Sequence, residues 1–398
     1  WREPGYRTGW LQRFGLCAPR LPRDAIWLHA ASVGEVQAVA ALVRELRAAH
    51  PDVPLVMTTM TPAGAAHVQR LFGADVACAC LPFDYPHAIA LFLRALRPRL
   101  AVVVEMELWP NLFAGLRRRG VPLLLVNARL SAASARNYRR VRPLIAGVLA
   151  CPQAIAAQTR QHARRLICLG APAERVHVAG NLKFDVTLPA SAREQGEALR
   201  ALVGGERPVW IAASTREGEE DRVLEAFTLV RRQLADALLI LVPRHPDRFA
   251  EVAARVRQGG FNTTTRSSGA LPGADTTVFL GDTMGELPVY YAAADLAFVG
   301  GSLVPMGGQN VLEPAALGMP VVVGPSTFNF EAAAAQLVAR DAMVRVVDAG
   351  ELAATVVELL GHPERRAAMG ERGRTLIDAN RGATGRVMAL LTRHLPAA

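Results

Sequence analysis

The chain has 398 residues, 51% of them hydrophobic and 20% charged, which leaves room for two or three domains and excludes a disordered protein. Its 45 basic and 35 acidic residues give a formal charge of +10, and Lys183 is the single lysine, so the excess is arginine and favours anionic partners. Five cysteines (Cys17, Cys78, Cys80, Cys151 and Cys168) form no CxxC pair or zinc spacing; Cys78 and Cys80, alternating on an apolar strand-like stretch, read as buried thiols, and a reducing compartment fits.

Short apolar runs alternate with helical patterns throughout. In the first half the expected strands are "AIWLHAA", "PLVMTTM", "ADVACACLP", "LAVVVEME", "VPLLLVNAR" and "AIAAQT", with helices expected over 36–50, 62–72, 87–96, 112–119 and 160–169. Residues 188–207, ending in Gly204-Gly205 and a few residues beyond, carry no strand and read as a connecting helix and linker. The alternation then restarts with "VWIAAS", "ALLILVPR", "TVFLGD", "LAFVGGS", "MPVVVGP" and "AMVRVV". This pattern implies an α/β protein of two Rossmann-like domains facing a central cleft, over 1–187 and 208–398, the last helix packing back on the first domain. No run approaches the ~18 apolar residues of a membrane span, and no signal peptide is visible.

In open parallel sheets ligands sit beyond the carboxyl ends of the strands. After "WLHAASVG" comes Glu35, in the first turn of a helix, where an acid complements the dipole or stands as a catalytic carboxylate at a cleft. After "ALLILV" comes Arg244, placed to clamp a phosphate. After "VFLGD", Met284 can slide under a base, Gly285 allows close backbone approach, and Glu286 can cap the next helix. "FVGGSLVPMGGQNVLEPAALG" puts four glycines before a helix expected to begin near Asn310; bare amides there make an anion site, and Glu313, one turn on, can reach a ribose diol. An acid this close to a glycine-rich helix start is not the dinucleotide-enzyme spacing of about 20 residues.

With these residues the whole chain resembles the 3-deoxy-D-manno-octulosonic acid (Kdo) transferases, through "HAASVGE", "EMELWPN" (105–111), "VNARLS" (126–131), "GNLKFD" (180–185), "PRHPDR", "DTMGEL" and "GGQNVLEPAALG". The resemblance implies the B-type glycosyltransferase fold and transfer of Kdo from CMP-Kdo to the lipid A precursor (lipid IVA), with inversion and without metal or cofactor. It also implies work at the cytoplasmic face of the inner membrane, on an N-terminal anchor that precedes the segment seen here. Carried over by position, Glu35 is the general base. Pro243, Arg244, Met284, Gly285, Glu286, Asn310, Val311, Leu312 and Glu313 fall where the family binds CMP. Glu105 and Lys183 are candidate acceptor or sugar contacts. The dipole should lower the Glu35 pKa and burial should raise it.

A nucleotide-sugar epimerase of the same fold and a non-enzymatic anionic-lipid binder are the alternative readings. No aromatic–basic stripe or nucleic-acid module is visible, so no nucleic-acid partner is expected. The opening segment interleaves Arg2, Arg7, Arg13, Arg20 and Arg23 with Trp1, Tyr6, Trp10, Leu11 and Phe14, which suits an anionic bilayer surface or a cap on the first sheet.

Overall fold

The computed structural model describes residues 10–16, 21–186 and 188–396. The chain divides into two compact units, Trp1–Asp185 with Asn380–Ala398, and Val186–Ala379. In the first unit β1 (Ile26–His29), β2 (Leu55–Thr59), β3 (Val76–Cys80), β4 (Leu100–Val104), β5 (Leu123–Ala128), β6 (Ala154–Ala157) and β7 (Val176–Val178) form a parallel sheet ordered β3-β2-β1-β4-β5-β6-β7. In the second, β8 (Val209–Thr215), β9 (Leu238–Pro243), β10 (Thr263–Thr265), β11 (Val278–Leu280), β12 (Leu296–Val299), β13 (Val321–Val323) and β14 (Met343–Arg345) are ordered β10-β11-β9-β8-β12-β13-β14, again parallel.

Helices cover both faces of each sheet, so the central strands are apolar on both sides; all five residues of β4 are fully buried. Trp27, Val103 and Leu125 pack with Phe92 and Leu116 on one face. Ile26, Leu28 and Val102 pack with Val43 and Leu46 on the other. Each such side chain contributes about 1.5–3 kcal/mol by leaving water. Ala383, Val387, Leu390 and Leu391, from the helix Ala383–His394, are buried in that second layer. Asp185 fixes this helix's start: its carboxylate accepts the Gly382 amide at 2.7 Å and the Thr384 amide at 2.5 Å.

Several local expectations are corrected. The helix expected over 36–50 is two, Val33–Ala38 and Ala40–Ala49, broken at Val39 (φ −98°, ψ 5°). β7 and β10, three-residue edge strands without a fully buried residue, have no counterpart among the expected strands. Within 188–207 the helix Ala192–Val203 packs on the helix Leu287–Ala293, and a Cβ on Gly196 would lie 2.3 Å from that of Ala292. That stretch is thus part of the second unit's packing. Among the described cysteines only Cys151 is buried; Cys78 and Cys80 are half-buried on an edge strand and Cys168 is exposed. Trp1, Arg2, Tyr6, Arg7, Cys17 and Arg20 lie outside the described residues. Arg13 does not face outward: it is 9% exposed, donates to the Met60 carbonyl at 2.9 Å and lies over the Phe83 ring. Trp10 and Leu11 remain about half exposed.

Each sheet has one place where successive connections leave in opposite directions, between β1 and β4 and between β8 and β12. Such switch points open a crevice at the carboxyl ends of the strands.

Candidate active site

Glu35 and Glu105 stand at the first crevice. Past β1 the chain runs extended through Ser32 (φ −130°, ψ 165°), which caps the helix Val33–Ala38 by accepting the Glu35 amide. The Glu35 carboxylate turns back over this cap: Oε2 accepts the Ala31 amide at 2.7 Å and Oε1 the Ser32 hydroxyl at 3.2 Å. This is a capping-box arrangement shifted back by one residue. Burial is the largest influence on the carboxyl and raises it from 4.5 to about 7. The Ala31 amide pulls down, the neighbouring Glu105 and Glu107 push up, and Ser32 pulls down. Burial therefore outweighs the bonds from Ala31 and Ser32. Glu105 is the first residue past β4 and is held at φ +59°, a region that costs a non-glycine residue about 1–2 kcal/mol. Burial also raises Glu107.

Beneath them His29 is fully buried, its Nδ1 at 3.1 Å from the Thr58 carbonyl and 3.0 Å from the Thr58 hydroxyl. Burial lowers it to about 4, so it is a neutral framework residue.

In the second unit, Pro243 ends β9 opposite Thr215, and the Arg244 amide donates to the Thr215 carbonyl at 3.0 Å. Arg244 Nε donates to Gln309 Oε1 at 3.2 Å. Burial raises the Glu313 carboxyl, against the Asn310 side chain and the charge of Arg244. Asn310 donates to Glu313 at 2.9 Å and accepts the Leu312 amide at 3.0 Å, just ahead of the helix Leu312–Ala316, whose N-cap Val311 has no side-chain cap bond.

The glycine stretch differs from the expectation of bare amides. The carboxylate of Glu219, fully buried, accepts the amides of Gly301 (2.6 Å), Ser302 (3.0 Å), Leu303 (2.9 Å) and Arg216 (3.2 Å). A Cβ on Gly300 would lie 2.7 Å from Thr215 Cα and 2.8 Å from Glu219 Oε2, so only glycine lets β8 and β12 end this close together. Gly307 donates to the Ser326 hydroxyl, and Gly308 and Gln309 donate to the carbonyls of Gly301 and Gly300. The helix begins at Leu312, close to Asn310 as expected. The glycines shape the crevice, and their own amides are already paired.

Comparison with known proteins now adds to this geometry. Residues 8–186 match the family described as 3-deoxy-D-manno-octulosonic-acid transferase (kdotransferase), and residues 211–376 match glycosyl transferases group 1. The chain is 39% identical to the Haemophilus influenzae 3-deoxy-D-manno-octulosonic acid transferase over 99% of its own length and 93% of that protein. It is 42% identical to the Bordetella pertussis 3-deoxy-D-manno-octulosonic acid transferase, over 95% and 90%. The chain belongs to the Kdo transferases. A glycosyltransferase from Rickettsia africae shares the fold, with a TM-score of 0.55 at 11% identity over 94% of this chain and all of that one.

In this Kdo transferase the expected donor residues divide by what their side chains already do. Arg244, Asn310 and Glu313 come together. Val311 and Leu312 are 1% exposed, and the Leu312 amide is already bonded to Asn310. Met284 is 62% exposed and Gly285 (φ +88°) has open space at its Cβ position. Glu286 does not cap the helix Leu287–Ala293 with its side chain. It pairs with Arg266 at 2.7 Å and takes bonds from Thr283 and Tyr290; Arg266 first of all holds its carboxyl down at about 2. Lys183 sits in the turn Leu182–Phe184 of the first unit, which packs on the helix carrying Glu35. Sequence reasoning missed Glu219 and Arg216; the signal lay in "STREGEE", directly after an expected strand. Among the described residues no group of three or more His, Cys, Asp or Glu is arranged to hold a metal. A cavity of about 380 Å³ lined by Arg193, Asp295, Met319 and Arg366 lies where β12 and β13 begin, at the opposite end of the strands from the crevice.

Proposed function

We propose that this Kdo transferase moves Kdo from CMP-Kdo to the lipid A precursor lipid IVA, with inversion and without a metal ion or cofactor. The observation that carries the mechanism is a carboxylate at a switch point whose pKa burial has brought to about 7. A general base works best when its pKa lies near the operating pH. Glu35 Oε takes the proton of the acceptor hydroxyl as that oxygen bonds to the anomeric carbon. The bond from the anomeric carbon to the phosphate oxygen breaks, and its electron pair leaves with CMP.

Arg244 faces the charge that develops on the leaving phosphate, a role a guanidinium fills by paired hydrogen bonds. Glu313, next to it, is suited to the ribose diol. One base on the acceptor side is the minimum for a single displacement, which supports inversion. The fold is shared with nucleotide-sugar epimerases, and the family relationship favours transfer over that chemistry. No helix among the described residues is long and apolar enough to cross a membrane. The glycolipid acceptor calls for work at the cytoplasmic face of the inner membrane, with the half-exposed Trp10 and Leu11 as interfacial side chains.

The test is incubation with CMP-Kdo and lipid IVA in the presence of chelator. Mass spectrometry should show Kdo added, and NMR should show inverted anomeric configuration. Strict metal dependence or retained configuration would refute the mechanism.

A further inference from the structure

We propose that Arg216 binds the carboxylate of the donor's sugar, beside the phosphate held by Arg244; this rests on the donor reading above. Arg216 is the first residue past β8, the strand at the second unit's switch point. Its backbone is fixed, since its amide donates to Glu219 Oε2 at 3.2 Å, the same oxygen that holds Gly301. Its guanidinium NH1 donates to His245 Nε2.

Arg216 and Arg244 belong to one cluster. The Arg244 amide is bonded to Thr215, the residue before Arg216. A Cβ on Gly301 would lie 3.4 Å from Arg216 Cγ and 3.1 Å from Nε2 of Gln309, whose oxygen holds Arg244. Arg216 and Gln309 thus both crowd the space above Gly301, and Gln309 in turn holds Arg244.

Arg216 is only partly exposed, and among the described residues it forms no ion pair with a carboxylate. Its guanidinium N–H groups are spent on no carboxylate, and a bound anion would take them in charge-assisted bonds. Thr215 gives a second sign of an absent partner: it is 1% exposed, and its hydroxyl finds no hydrogen bond.

The donor's chemistry matches this pair. In a CMP-activated ulosonic acid, the carboxylate and the phosphate ester oxygen are both attached to the anomeric carbon. Two negative groups therefore arrive as a fixed pair, and two anchored guanidiniums can each take one by planar, charge-assisted bonds. A nucleotide sugar without a carboxylate would leave Arg216 unmatched. Arg216 is then a specificity residue for acidic sugars, while Arg244, next to Gln309 and Glu313, stays with the nucleotide.

The experiment is calorimetric binding of a hydrolysis-resistant phosphonate isostere of CMP-Kdo and of its carboxyl methyl ester. Wild type should bind the acid about tenfold or more tightly than the ester, the range of a charge-assisted hydrogen bond. Arg216→Ala should bind acid and ester equally, at the ester affinity of wild type, and Arg216→Lys should recover part of the preference. Retained ester binding also shows that the variant is folded. Equal weakening of both ligands by Arg216→Ala, or an undiminished preference for the acid, would overturn the assignment. The donor site itself fails by a different result, an Arg244→Ala variant that binds the acid as wild type does.

Discussion

Glu35 Oε2 accepts the amide of Ala31 at 2.7 Å, so the carboxylate that faces the first crevice also fastens the turn on which it stands. The two roles separate by substitution. Glu35→Gln keeps an oxygen for the Ala31 amide but cannot take a proton. Turnover should fall about 10²–10⁴-fold with CMP affinity unchanged. Glu35→Ala should add a loss of cap stability of about 0.5–2 kcal/mol. Near wild-type turnover of Glu35→Gln with lipid acceptor would remove the base assignment.

The pH dependence follows from the same residue. Transfer should rise with pH through about 7 as Glu35 ionises, followed as kcat/KM between mildly acidic and mildly basic buffer. Stability runs the other way. The folded pKa is raised from 4.5 to about 7, so this group's stabilising contribution is complete below about 4.5 and lost as pH rises through 7. Glu35→Gln should therefore melt higher than wild type in basic buffer and level with it in acid. A variant melting below wild type at basic pH would contradict the burial argument.

Glu105 acts on this profile through its charge, and Glu105→Gln should move the rising limb to lower pH. Glu105→Gly, which relieves the φ of +59°, should do the same while gaining about 1 kcal/mol of stability. An unmoved limb in both variants would show that Glu35 titrates independently of its neighbour.

On the donor side, Arg244→Ala and Glu313→Ala should each weaken CMP binding, by about 1.5–3 kcal/mol for the arginine–phosphate bonds and less for a ribose bond, while Glu35→Gln should not. Titration calorimetry with CMP decides; unchanged affinity in either variant refutes that residue's part.

Glu219 gathers four amides, so Glu219→Ala leaves buried N–H groups unpaired at about 1–3 kcal/mol each. The melting temperature should drop and CMP binding should weaken through a loosened crevice. Glu286→Gln, at a partly exposed ion pair, should cost much less. A Glu219→Ala protein as stable as wild type would show that these amides find other partners.

The alternation of apolar runs with amphipathic stretches was enough to place twelve of the fourteen described strands, among them all ten interior ones, whose burial on both faces makes them largely apolar. β7 and β10 were illegible for the complementary reason. An edge strand such as Thr263–Thr265 is defined by one neighbour's hydrogen bonds, and its side chains need no apolar pattern. Glu35, Arg244 and Glu313 were legible because strand-end position and side-chain chemistry are local. The sequence by itself thus determined the two-sheet class, the family resemblance and the residue types at the strand ends. Tertiary structure alone decided their state. That Glu35 titrates near 7, that Glu286 is spent on Arg266, and that Glu219 occupies the glycine loop's amides all depend on groups distant along the chain. Burial and hydrogen-bond pairing are set by those distant neighbours in the folded chain, and no local pattern encodes them.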